Sequence, residues 1–262
     1  MATPHGGGDP KRVMELLWGT GAARKRGPRP RLTIEQLTRA AVDIADAEGL
    51  AALSMRRVAE QLGMRTMSVY TYVPGKAELI DLMIDAVLGE TIDGEPAAAG
   101  WRPALERIAR RNRALYVRHP WLLQVVTVRP AMGPNLIAKY DHELRAVAEL
   151  GLDEIEMDLV VALVTDYVYG AARSAVEAAQ VRQRSGQSDE TWWSINGPLV
   201  ERVFDPARYP LAARVGPLAG AEYGAAVDPE RAFDFGLERV LDGLATLIEE
   251  RGGQTGARPS PG

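Results

Sequence analysis

The 262-residue chain contains no cysteine. That excludes disulfides, thiolate metal sites and cysteine nucleophiles. Histidine is scarce as well, with three in the chain: His5, His119 and His142. Asp141-His142-Glu143 is the densest cluster of potential metal ligands. Consecutive residues on a helix point in different directions, so this cluster reads as a solvated face. Pro74-Gly75-Lys76 lacks the upstream glycines of a phosphate-binding loop, and no nucleophile–base pair is evident. No metal, cofactor or catalytic residue is therefore expected, and the chain does not read as an enzyme. There is no unbroken apolar run of about 18 residues, so no membrane span is expected. The first ten residues lack the apolar centre of a secretory leader. A cytoplasmic location is the expectation.

The overall charge is slightly acidic, but the positive charge is concentrated. The chain carries a net −4. Residues 24–76 hold ten Lys/Arg against five Asp/Glu, whereas residues 77–262 hold nineteen against twenty-eight. A basic N-terminal part on an acidic remainder is the division expected when one part meets DNA. The run Arg24-Lys25-Arg26-Gly27-Pro28-Arg29-Pro30-Arg31 cannot build a helix interior and should be extended. It is either a solvated basic tail or an arm in the minor groove, as in homeodomains. Its place just before the first strong helix favours the arm, with Arg24, Arg26 and Arg29 against DNA.

The pattern is helical throughout, and the fold class is all-α. Residues 13–18 form a short apolar stretch, a frayed helical turn or part of a disordered tail. Thr33 and Gln36 make a capping box ahead of Ile34, Leu37, Ala41, Ile44 and Ala45, and Gly49 stops that helix. Ser54 caps a second helix, which ends at Gly63; a third runs from Arg65 or Thr66 to Tyr72. Two short helices joined by a tight turn form a helix-turn-helix, whose second helix is placed for a major groove. Arg65, Thr66, Met67, Ser68, Thr71 and Tyr72 should be exposed there, and Val69 should face the core. Arg65 can donate to guanine or phosphate, and Thr66, Ser68 and Thr71 to base edges or phosphates. Met67 can pack on a thymine methyl. Lys76 opens a longer helix. Residues 101–118 and 134–150 read as further helices, with a short apolar piece between them. Asp153 should cap a long helix reaching about residue 184, apolar on every side at its centre. Residues 185–228, rich in Gly, Pro and Ser, read as loops with one short helix. A last helix starts at Asp228-Pro229, and residues 252–262 look disordered.

The residues are more specific than the geometry. Leu53-Ser54-Met55-Arg56-Arg57-Val58-Ala59, Leu62-Gly63, Ser68-Val69-Tyr70, Val73 and Lys76-Ala77-Glu78-Leu79 resemble the DNA-binding domain of the TetR family of repressors. Ala40-Ala41-Val42, Ala45 and Glu48-Gly49-Leu50 match its first helix. The resemblance implies that Ser54 and Arg56 contact phosphate or an adjacent base. Thr66, Met67 and Ser68 would approach bases, Tyr70 and Tyr72 would hold the backbone, and Lys76 would pair a phosphate at a helix N-terminus. Met55 departs from the family, where a polar residue is common.

The C-terminal part is similar to that of the tetracycline repressor. The similarity rests on Arg129-Pro130, the long helix through Tyr169-Gly170, and Phe235-Gly236-Leu237-Glu238 with Leu241 and Gly243-Leu244. It implies a homodimer joined by a four-helix bundle of residues 153–182 and 229–249 from each protomer. The tetracycline repressor's chelate-binding histidine lies four residues before its Arg-Pro pair; Val125 stands there in this chain, which argues against tetracycline. Trp121, Arg129, Tyr140, Asp166, Tyr169, Arg173 and Trp192 are the candidate pocket for a small aromatic effector. Asp166 and Arg173 either orient that ligand or join an interhelical salt-bridge network. The expected organisation is a flexible basic extension (1–31), a helix-turn-helix domain (32–78), a ligand-binding and dimerisation domain (79–250) and a disordered tail (251–262). The expected function is a ligand-responsive repressor on a double-stranded DNA operator, with no membrane partner, controlling an efflux or antibiotic-related gene. The alternatives are a helical small-molecule-binding protein or enzyme without DNA binding, and a TetR-like activator.

Overall fold

A computed structural model describes residues 9–20, 32–92, 100–125 and 130–255. Among these residues there are eleven α-helices, two short 3-10 turns and no β-strand. The first helix, α1 (Pro10–Leu17), replaces the expected frayed turn. Asp9 caps it and proline occupies its first position, where no amide donor is lost.

The next four helices form the N-terminal unit: α2 (Ile34–Glu48), α3 (Met55–Gln61), α4 (Thr66–Tyr70) and α5 (Lys76–Leu88). The Thr33–Gln36 capping box is formed, with reciprocal bonds of 3.2 and 2.9 Å. Gly49 ends α2 at φ 84°, a conformation side chains rarely adopt. Ser54 Oγ accepts the Arg57 amide at 3.1 Å and starts α3. Leu37, Ile44, Leu53, Val58, Val69, Val73, Leu79 and Met83 close a dry core. That core does not stop at the expected boundary at residue 78. It also takes in Ile80, Ile84 and Val87 of α5, and then Leu115, Trp121, Leu122 and Val125.

The C-terminal unit comprises α6 (Trp101–Arg118), α7 (Pro134–Arg145), α8 (Glu154–Ser185), α9 (Asp189–Val203), α10 (Pro210–Tyr223) and α11 (Pro229–Thr255). A 3-10 turn at Pro120–Gln124 follows α6. Asp153 and Glu156 form the capping box of α8, whose 32 residues span about 48 Å. A second core packs Leu105 and Ile108 of α6 against Val160, Val164 and Val168 of α8 and Phe233, Leu237, Leu241 and Leu244 of α11.

Two expectations are corrected. Residues 185–228 are mostly helical: α9 and α10 run 15 and 14 residues, with Pro198 and Pro217 inside them. Helix α11 continues through residues 252–255. By length and composition alone, α8 is apolar enough to cross a membrane. In this fold its Val160, Val161, Val164, Val168, Ala172 and Val176 are buried. Its other stripe, Ile155, Leu159 and Leu163, is exposed.

Helices α5 and α7 meet at one tight joint. Asp85 of α5 accepts the amides of Asn135 and Leu136 at 3.4 and 3.0 Å, capping the first turn of α7. Burial pushes the Asp85 carboxyl up, while those two amides hold it down. Gly133 leaves the room for this contact, because a Cβ there would fall inside the Asp85 carboxylate. Gly133→Ala is expected to lower unfolding free energy by about 1–3 kcal/mol, read from urea denaturation.

Candidate nucleic-acid interface and effector domain

The α3–α4 pair presents a compact polar face. Gly63, at φ 63°, turns the chain between the helices. Val69 is fully buried and pins α4 to the core, which fixes the directions of its neighbours. Met67 is 74% exposed, an unusual position for a large apolar side chain with nothing to cover it. Arg65, Tyr70 and Thr71 are also exposed, and Thr66 and Ser68 are half-buried. Thr71 Oγ1 donates to the Ser68 carbonyl at 2.7 Å. Tyr72 is half-buried and packs against the core. At the start of α3, Arg56 projects into solvent and pairs with Glu60 at 2.8 Å. Arg57 is tied to Glu48 at the end of α2, and that bond holds Glu48 below the usual carboxylate range. Lys76 is half-buried, with Nζ donating to the Leu50 carbonyl at 3.4 Å; burial pushes its pKa down. Met55 is buried, so at this position the chain has a core residue. Arg24, Arg26 and Arg29 lie outside the described residues.

A buried polar junction ties this unit to the rest. Asp46 of α2 accepts the Trp121 indole N–H at 2.8 Å. The same carboxylate oxygen lies 2.8 Å from His119 Nδ1, and His119 Nε2 lies 3.2 Å from Glu90 Oε2. Arg118 adds a bond to Glu90 at 2.9 Å. Burial pushes Glu90 up, yet the bonds from His119 and Arg118 hold it below its ordinary value. His119 and Trp121 are 2% and 1% exposed, so neither ring touches solvent.

The pocket candidates do not converge on one spot. Trp121 belongs to the junction just described. Tyr140 is exposed and donates to Asp158 at 2.7 Å. Asp166 and Arg173 are both exposed, and Arg173 pairs with Glu177 in its own helix at 2.9 Å. Trp192 is exposed on α9 and stands edge-on to Trp193. Arg129 lies outside the described residues. Tyr169 is half-buried: its ring meets Tyr116 edge-on at 5.6 Å and its hydroxyl donates to the Leu123 carbonyl at 3.4 Å.

A buried polar cluster between α6 and α7 was missed in the sequence. Asn112 of α6 donates to Glu143 of α7 at 2.7 Å, and Lys139 also pairs with Glu143. All three are buried. Burial, with the nearby Tyr169, Glu143 and Asp166, pushes the Tyr116 phenol up to about 12. Glu143 is thus the inward member of the trio taken for a solvated face. The Lys139/Glu143 spacing of one helical turn was the available signal.

The junction is expected to stabilise the fold measurably. Trp121→Phe should lower unfolding free energy by about 2 kcal/mol in urea. Combined with Asp46→Asn, it should cost less than the two singles added, because they share one bond.

Known proteins match both units. Residues 37–83 match the family model for bacterial regulatory proteins, tetR family. Residues 94–248 match the tetracyclin repressor-like C-terminal domain. The HTH-type transcriptional repressor DrrR1 of Streptomyces coeruleorubidus is 44% identical over 251 residues, 95% of this chain and 91% of that protein. The class A tetracycline repressor of Escherichia coli is 28% identical over 79% of this chain and 88% of its own. Among solved structures, ActR of Streptomyces coelicolor in complex with actinorhodin superposes with a TM-score of 0.64 at 27% identity, covering 82% of this chain and 96% of that one. The chain belongs to the TetR family of transcriptional regulators, with an N-terminal helix-turn-helix and a helical C-terminal domain.

Proposed function

We propose that this regulator is a repressor that binds a palindromic operator as a homodimer and is released by a small aromatic molecule. The observation that carries the reading is the solvent-facing α4 beside a buried junction that joins α2 to the C-terminal unit. A bound effector can act on DNA affinity only if the two parts share such a rigid contact. The repressor DrrR1, at 44% identity, supports the direction of control. The ActR–actinorhodin complex supports an aromatic effector.

In this reading Thr66, Met67 and Ser68 face bases, with Arg65 on guanine or phosphate. Ser54, Arg56, Tyr70, Thr71, Tyr72 and Lys76 hold the phosphate backbone, and Arg24, Arg26 and Arg29 reach the minor groove. The two protomers meet through the exposed stripe of α8 (Ile155, Leu159, Leu163) and through α11, which exposes Phe235. Such a stripe on one chain fits a face covered by a second copy. Tyr116, Tyr169, Asn112 and the Lys139–Glu143 pair supply the polar groups for a planar, oxygen-rich effector, and Tyr140, Asp166, Arg173 and Trp192 flank them. The functional boundary runs along α5, with residues 32–78 serving DNA and 79–250 serving the effector and the partner. The controlled gene is an efflux or antibiotic-related one.

Footprinting of the purified protein on its own and neighbouring promoters, with and without actinorhodin and related aromatic polyketides, tests this. A protected palindrome that is lost with effector is expected; no protected palindrome overturns the reading. On that operator, Lys76→Ala should weaken binding and reduce the slope of log K against log salt by about 1. Its elution as a dimer should not change.

A further inference from the structure

Helix α1 lies outside both matched segments, which cover residues 37–83 and 94–248. It is nevertheless built into the fold. Val13 is 4% exposed, and Leu16 and Leu17 pack against the N-terminal core. The helix rests on α5. One residue past its end, the Trp18 indole donates to the Met132 carbonyl at 2.9 Å. Met132 precedes Gly133, the residue that abuts Asp85 of α5. Helix α1 therefore touches both sides of the α5–α7 joint, packing on one helix and bonding to the segment that leads into the other.

We propose that α1 is a strap that fastens α5 to the start of α7, so that the two shift as one body. Without α1 the joint is held by the bonds of the Asn135–Leu136 turn to Asp85 and by the packing of α5 on α7. The strap adds an apolar contact on the α5 side and a hydrogen bond on the α7 side. Helix α5 begins at Lys76, immediately behind α4, and α7 carries Lys139 and Glu143. A movement of either end is thus passed to the other. An eight-residue helix is marginal on its own, so α1 is ordered by its docking and can be released at little cost.

Hydrogen exchange on the full-length protein, without DNA or effector, tests the strap. The readout stands whether or not the operator reading holds. Val13→Asp should undock α1 and raise exchange several-fold in residues 79–92 and 130–138 together, leaving α8 and α11 unchanged. Exchange that rises only within residues 10–18 overturns the proposal. If Val13→Asp loosens the whole chain, Trp18→Phe decides, because it keeps the ring and loses only the bond to Met132. Raised exchange in residues 130–138 and in α5 then supports the strap. Unchanged exchange at 130–138 overturns it.

Discussion

One carboxylate of α2 determines how the two halves of this regulator sit. Asp46 receives the Trp121 indole and faces His119, both with almost no solvent contact. A buried polar group without a partner costs about 1–3 kcal/mol, so neither ring can leave this carboxylate cheaply. The imidazole is held from both sides, by Asp46 of α2 and by Glu90 just beyond α5. Helix α2 supports α3 and α4 through a shared core. The angle of the recognition face is thereby set by residues that follow α6, far along the chain.

The apolar surfaces follow a similar division of labour. One stripe of α8 completes the second core with α6 and α11, while Ile155, Leu159 and Leu163 stay outside. These three recur every four residues and so lie on one line of the helix. Helices α9 and α10 contain no buried residue, and Val203, Leu211 and Leu218 on them are largely exposed. A helix without an apolar seat in its own chain gains little from tertiary packing.

What could be read in the sequence was the local chemistry. The Thr33–Gln36 box, the Ser54 cap, the stop at Gly49 and the inward Val69 each depend on residues within one helical turn, and each is formed. Where the reading went astray, a distant partner decides. Trp121 looked like a pocket aromatic because composition does not reveal Asp46, which lies 75 positions earlier. Glu143 looked solvated because its partner Asn112 is on another helix. Pro198 and Pro217 suggested loops, yet both are carried inside exposed helices. Helix α1 was read as a frayed turn or tail because four apolar side chains in eight residues do not announce the core that receives them.

Helix α5 packs against α2 on one side, α1 on another and α7 at its far end. It also buries three acidic side chains, Glu78, Asp81 and Asp85. A buried carboxylate is costly unless hydrogen-bonded, so one that is bonded fixes a geometry more sharply than an apolar contact would. Asp85 shows this directly, since its oxygens are taken up by the first turn of α7. A helix held by oriented bonds at one end, and bearing the recognition pair at the other, transmits displacement because it cannot absorb it by sliding. Close-packed interiors move between discrete arrangements and do not deform continuously. The Asp85 bonds to the first turn of α7 make α5 a rigid link between the helix-turn-helix and the C-terminal unit.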